Sequence, residues 1–132
     1  MTLPMGRPMR EVFGETVAAL ADEDPRVVML DGDLGVSTKG EIFQRAHPER
    51  YLQMGLAEQN MLGVAAGLAS VGLIPFISTF VAFAVIRPLD QIRVLIAQPG
   101  LNVKITAGYA GLFTGMAGKS HQVVDDISIM RA

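Results

Sequence analysis

One carboxylate stands where a short apolar segment passes directly into a predicted helix. Glu58 follows residues 51–54 and the turn-forming Gly55, and it precedes the small and apolar residues 59–71. The positive end of a helix dipole favours a carboxylate in the first turn. The residues alone thus place a partly buried acid at a strand-to-helix junction, and they do not identify a reaction. The simpler interpretation of Glu58 is an N-terminal helix acid without a chemical role.

Two aromatic residues and a histidine also follow predicted strands. Phe80 and Phe83 come after the apolar segment 73–79, and His121 comes after residues 107–118, which contain four glycines. Without further evidence, the two phenyl rings belong as readily to the ordinary core as to a shared site at the strand ends. A histidine can act as a general acid or base. The glycine-rich segment has neither the lysine of an ATP-binding loop nor the spacing of a dinucleotide fingerprint.

The segments that must position these residues alternate between strand and helix. Residues 27–30 are continuously apolar, which is typical of a strand covered on both faces in a parallel sheet. We therefore expect an α/β fold, a three-layer α/β/α sandwich with a mainly parallel sheet, whose ligands bind at the carboxyl ends of the strands. The predicted helices cover residues 10–21, 41–46, 58–71, 88–98 and 123–131, and the predicted strands cover 26–30, 51–54, 73–79 and 101–106.

Composition excludes several classes of function. The 132 residues fit one domain, carry a net charge of -2 without a basic run, and contain no cysteine, so neither a nucleic-acid surface nor a thiolate metal site is indicated. Residues 60–86 are uncharged and long enough to cross a bilayer. Pro75 and several small residues divide that run and favour a helix followed by a strand instead. His47, which precedes a proline, is predicted at a helix end on the surface.

Four ordered motifs resemble the pyrimidine-binding domain of transketolases, most closely the C-terminal subunit of bacterial split transketolases, with deoxyxylulose-phosphate synthases as more distant relatives. The resemblance extends from Arg10 to Arg131. It implies an enzyme component that transfers a two-carbon ketol unit between sugar phosphates with thiamine diphosphate as cofactor. The motifs are LDGDL at residues 30–34, GLAEQNM at 55–61, STFVAF at 78–83 and SHQ at 120–122.

The resemblance implies roles for four residues at the cofactor. Glu58 would hydrogen-bond a ring nitrogen of the aminopyrimidine and assist proton transfer, which requires a desolvated carboxylate. Phe80 and Phe83 would line the pyrimidine pocket, and Asp33 would approach the thiazolium ring. The family often has a further tyrosine in this wall, where the present chain has Ile86.

The substrate half of the resemblance is less complete. His121 matches a histidine that contacts substrate hydroxyls and helps proton transfer on the sugar, and Arg10 and Ser37 match residues that bind the substrate phosphate. Tyr109 stands where transketolases commonly have a phosphate-binding histidine, and Ala117 stands where they have an acid that contacts a sugar hydroxyl. Ketol transfer is therefore expected as the reaction class, with the sugar specificity altered.

A partner chain is also implied. The family holds the diphosphate and Mg²⁺ on a separate domain with a Gly-Asp-Gly motif, which this sequence lacks. We expect a diphosphate-binding transketolase subunit or domain as partner, a homo- or hetero-oligomer, no metal ligand in this chain and no activity of the chain alone. The high apolar share and the small residues Gly63 and Gly67, which share one helix face, fit a covered surface.

Residues 1–132 are expected to form one pyrimidine-binding domain that is incomplete at its C-terminus. A domain with this pattern usually continues into further strands, and the predicted last helix resembles one from the middle of such a domain. A cytoplasmic location is expected. The substitutions at Tyr109 and Ala117 leave a second hypothesis open, a non-catalytic relic or regulatory binding protein of the same fold. A component similar to deoxyxylulose-phosphate synthase and a membrane-spanning chain are the remaining alternatives.

Overall fold

The computed structural model describes residues 5–132. Helices and strands alternate along this part of the chain, as predicted, and short 3₁₀ or π-helical turns lie at Pro48–Arg50, Ala82–Ile86, Ile92–Ala97 and Gly118–His121. The helices and strands are α1 (Met9–Glu23), β1 (Val27–Asp31), α2 (Gly35–Thr38), α3 (Gly40–Ala46), β2 (Tyr51–Gln53), α4 (Glu58–Ser70), β3 (Ile74–Phe80), α5 (Leu89–Gln91), β4 (Lys104–Gly108) and α6 (Asp126–Arg131).

The four strands form one parallel sheet in the order β2-β1-β3-β4. Leu30 in β1 is paired with Leu52 on one side and with Ile77 on the other. Every residue of β1 is buried, because this strand lies inside the sheet and is covered on both faces. All four carboxyl ends meet at one edge of the sheet, so the loops that follow β1, β2, β3 and β4 lie side by side.

Alternate residues of β1 face opposite layers of helices. Met29 contributes to a core with Phe43 of α3 and Val17 of α1. Leu30 contributes to the other core, with Met61 of α4 and Ile96 of the turn Ile92–Ala97. The predicted three-layer α/β/α sandwich with a parallel sheet is therefore confirmed.

The surface position predicted for His47 is wrong. The residue does follow the end of α3, but it is buried at 8% exposure. Its Nε2 lies 3.0 Å from the carbonyl oxygen of Ala18, and Nδ1 accepts a hydrogen bond of 2.6 Å from Arg50. Because both ring nitrogens find partners and the ring packs beside Phe43, the imidazole is buried without an unmet hydrogen bond.

The boundaries differ most in the C-terminal half. The structure begins β4 at Lys104 and α6 at Asp126, each three residues later than predicted, and it makes Ala82–Ile86 helical. Pro88 directly precedes α5, close to the predicted start of that helix, and the segment 88–98 that the sequence predicts as one helix is divided into α5 and the π-helical turn Ile92–Ala97. Within residues 5–132, none of the helices has both the length and the apolar character that crossing a membrane requires.

Candidate active site

Glu58 is the first residue of α4, as the sequence predicts, and its side chain is only 4% exposed. Its Oε1 accepts a hydrogen bond of 2.9 Å from Nη1 of Arg87, and this is the one hydrogen bond to the Glu58 side chain within residues 5–132. A buried carboxylate requires such a counter-charge, because desolvation of an unpaired charge is expensive. The Arg87 side chain is 51% exposed, so solvent reaches the partner but not the acid.

Three of the predicted site residues pack together as aromatic rings. Phe80 ends β3 and Phe83 lies in the following turn, with ring centroids 6.1 Å apart and planes 23° from parallel. The ring of His121 meets Phe83 edge-on at 4.9 Å and Phe80 at 6.1 Å. Phe80 and Phe83 are 9% and 8% exposed, so they also contribute to the core beside Val123.

Arg87, which is not among the site residues that the sequence predicts, connects this aromatic group to Glu58. Its guanidinium carbon lies 4.1 Å from the centroid of the Phe83 ring, a cation–π contact, while Nη1 donates to Glu58. Its position in the sequence could have indicated a role, since Arg87 is the first charged residue after the uncharged run 60–86. The main chain at this point is held by Gln59, whose Nε2 donates to the Arg87 carbonyl at 3.1 Å.

Arg10 and Ser37 lie together, and Tyr109 joins them. Nη1 of Arg10 donates to the hydroxyl of Tyr109 at 2.7 Å and to the backbone carbonyl of Ser37 at 3.2 Å. The Tyr109 ring also lies 4.3 Å from Phe80, so Tyr109 connects the arginine to the aromatic rings. Tyr109 has a φ of 63°, an uncommon conformation for a residue with a side chain. Arg10 and Tyr109 line a cavity of about 630 Å³ with Phe13.

Asp33 lies on the loop that follows β1, next to Leu34, which packs against the core that contains Phe80 and Phe83. It is exposed, and it lines a smaller cavity of about 210 Å³ with Ser37 and Tyr51. Gln53, which is not among the site residues that the sequence predicts, holds this loop. Its Oε1 accepts hydrogen bonds from the backbone N–H of Asp33 at 3.1 Å and from that of Gly55 at 3.0 Å. One amide thus ties the loop that carries Asp33 to the loop that leads into α4.

Asp31, the last residue of β1, binds the backbone of the same loop. It is fully buried, and its Oδ1 accepts from the backbone N–H groups of Leu34 at 2.9 Å and Gly35 at 3.1 Å. Oδ2 is buried without a hydrogen-bond partner within residues 5–132. Burial raises the pKa of the Asp31 carboxyl above its ordinary value, and the backbone hydrogen bonds oppose that rise only in part.

Asp31→Asn is expected to become more stable relative to wild type as the pH rises from 4 to 7. Because the folded-state pKa of Asp31 is raised, its contribution to stability is fully present below the unfolded pKa of about 3.9 and is lost as pH rises through the folded value. Asparagine keeps the Oδ1 acceptor and does not ionise. Urea unfolding at several pH values measures the difference, and Asp31→Ala, which lacks the acceptor, should be destabilised throughout. A pH-independent difference between Asp31→Asn and wild type would contradict this account.

Comparison with known proteins identifies the fold family. The family profile described as "Transketolase, pyrimidine binding domain" matches residues 6–132. The chain is 49% identical over 124 residues to the protein named "Putative transketolase C-terminal section" of Methanocaldococcus jannaschii, covering 94% of this chain and 39% of that protein. It is 40% identical over 123 residues to the 6-deoxy-6-sulfo-D-fructose transketolase subunit SqwH of a Clostridium species, covering 93% and 38% of the two chains.

A solved structure agrees with these matches. The structure described as a split gene transketolase, inactive beta4 tetramer, superposes with a TM-score of 0.83 at 48% identity, over 97% of this chain and 41% of that one. The present chain thus spans about two fifths of the length of these relatives. The chain belongs to the transketolase family, and it matches that family's pyrimidine-binding domain.

Proposed function

We propose that the chain is the pyrimidine-binding component of a thiamine-diphosphate-dependent transketolase, which transfers a two-carbon ketol unit between sugar phosphates. The observation that carries this proposal is the position of Glu58, a buried carboxylate at the carboxyl edge of the sheet, linked through Arg87 to the ring of Phe83. A planar heteroaromatic ring needs a hydrogen-bonding group for its nitrogens and apolar walls for its faces. Glu58, Phe80 and Phe83 provide groups of both kinds.

Each of these residues has a task that its surroundings support. Thiamine diphosphate supplies the carbanion chemistry when it is bound. Glu58 would hold the ring nitrogen of the pyrimidine and share a proton with it, and its burial strengthens such a hydrogen bond. Phe80 and Phe83 would exclude water from this bond. Asp33 stands on a loop at the same edge of the sheet, from which it would approach the thiazolium ring.

The substrate would meet the second group of residues. Arg10 can grip a terminal anion through its guanidinium, beside Ser37 and Tyr109. His121 bonds Ser120 through Nδ1 at 2.9 Å, which leaves Nε2 for a substrate hydroxyl. The name of one relative includes 6-deoxy-6-sulfo-D-fructose, a sugar that ends in a sulfonate. Since a sulfonate and a phosphate are both compact oxyanions, we propose a ketose with a terminal anion of either kind as the substrate class.

A second subunit would complete the site. We propose that a diphosphate-binding transketolase chain or domain holds the diphosphate and Mg²⁺, and that the present chain is inactive without it. The structurally similar split gene transketolase is described as an inactive beta4 tetramer, which supports a requirement for a further component. The resulting enzyme would be an oligomer with its active sites between unlike surfaces.

Calorimetric titration tests this proposal. The chain is co-expressed with a diphosphate-binding transketolase subunit, and thiamine diphosphate with Mg²⁺ is titrated into the complex. We expect saturable binding that weakens by about tenfold or more in Glu58→Ala, because a charge-assisted hydrogen bond contributes about 1.5–3 kcal/mol. Arg93→Ala, which removes a side chain that is 74% exposed, is the control and should bind normally. A stable wild-type complex that binds no cofactor would favour the non-catalytic hypothesis.

A further inference from the structure

The Arg87 guanidinium makes the two contacts that the preceding proposal assigns to the pyrimidine ring. We infer that Arg87 is a placeholder, which pairs with Glu58 in the free chain and leaves it when the cofactor ring binds. This inference rests on the proposed function. Arg87 would control access to Glu58, because its planar guanidinium competes with the cofactor ring for the carboxylate.

The geometry carries the inference. Arg87 donates from Nη1 to Oε1 of Glu58 at 2.9 Å, and its guanidinium carbon lies 4.1 Å from the centroid of Phe83. A guanidinium is flat and carries N–H donors along its edge, and it stacks readily on aromatic faces. An aminopyrimidine is also flat, with polar nitrogens at its edge. The same carboxylate and the same aromatic ring therefore suit either group.

Only the side chain of Arg87 needs to move. Gln59 holds the backbone carbonyl of Arg87 at 3.1 Å, and the buried Pro88 follows, so the main chain is fixed. The side chain is 51% exposed and can turn into solvent without breaking the core. While it stays in place, it satisfies a carboxylate that would otherwise be buried and unpaired. The pair thus neutralises the buried carboxylate of Glu58 and competes with a ligand for it.

Binding of an isolated aminopyrimidine tests the inference on the free chain. The probe is 4-amino-5-hydroxymethyl-2-methylpyrimidine, followed by chemical-shift changes in ¹⁵N-labelled protein. We expect Arg87→Gln to bind the probe about five- to tenfold more tightly than wild type, a change of about 1–1.4 kcal/mol. Arg93→Gln removes the same charge from an exposed arginine paired with Asp90, and it should match wild type.

Salt distinguishes competition from a merely structural role. Raising the ionic strength from about 20 mM to 500 mM weakens a pair whose arginine is half exposed, so wild-type affinity for the probe should rise. The affinity of Arg87→Gln should stay constant. Arg87→Lys keeps the charge without the planar group and should fall between the two, which provides a folded variant if glutamine destabilises the chain.

Two results would overturn the inference. Equal or weaker probe binding by Arg87→Gln would mean that the arginine is a permanent part of the site. Absence of probe binding by wild type and by both Arg87 variants would also overturn the inference, because the free chain would then have no aminopyrimidine site for Arg87 to occupy. The titration of the assembled complex separates the two proposals: if wild type binds thiamine diphosphate there, the proposed function stands and only the placeholder fails.

Discussion

Glu58→Gln is expected to lower the turnover number of the assembled enzyme by about 10²–10⁴-fold, the usual contribution of a positioned proton-transfer group. Glutamine has the size of glutamate and still offers an acceptor oxygen, so thiamine diphosphate should bind within about tenfold of the wild-type affinity. What it loses is the ability to share a proton with the ring. The expected signature is a large fall in kcat with little change in cofactor binding or in KM for the sugar.

The measurement is steady-state kinetics beside calorimetry on the same preparation of the complex. Glu49→Gln makes the same chemical change at a side chain that is 66% exposed, and it should retain wild-type turnover. Full activity in Glu58→Gln would remove the proton-transfer role from the proposal. Loss of the complex itself would assign Glu58 a structural role, since the Arg87 pair would then be needed for folding or assembly.

The order of helices and strands could be predicted because it depends on local patterns. The continuous apolar segment 27–30 predicts a covered strand, and the structure buries β1 completely. Gly55 predicts a turn before a helix, and it has a φ of 68° three residues before α4 begins at Glu58. In both places the residues that decide the structure are close neighbours in sequence.

Two features of the structure could not be predicted because they depend on residues that are distant in sequence. Glu58 pairs with Arg87 across 29 positions, and His47 reaches the carbonyl of Ala18 across the same separation. An acid at a helix start and a histidine before a proline carry no sign of such partners. The helical turn Ala82–Ile86 escaped prediction because its residues are apolar throughout and therefore show no helical periodicity.

Gly14→Ala is expected to lower the free energy of unfolding by about 1–3 kcal/mol, although alanine ordinarily favours a helix interior. Gly14 is buried in α1 where that helix meets α3. A Cβ atom there would lie 2.5 Å from the backbone oxygen of Lys39 and 3.1 Å from Cδ1 of Ile42. The backbone oxygen cannot turn aside as a side chain can, so the two helices must separate. Urea unfolding measures the loss.

Gly63→Ala makes the same change in α4 and should have the opposite sign. Among residues 5–132, no atom beyond the neighbouring residues and the helix's own backbone lies within 4 Å of a Cβ placed there. The substitution should therefore stabilise the protein by about 0.5–1 kcal/mol, because alanine reduces the freedom of the unfolded chain. An equal gain at Gly14 would show that α1 and α3 are not in the described contact. If a partner covers the face with Gly63 and Gly67, Gly63→Ala should also weaken assembly while it stabilises the free chain. Opposite effects on folding and on association would then separate the stability of this domain from the surface that completes its site.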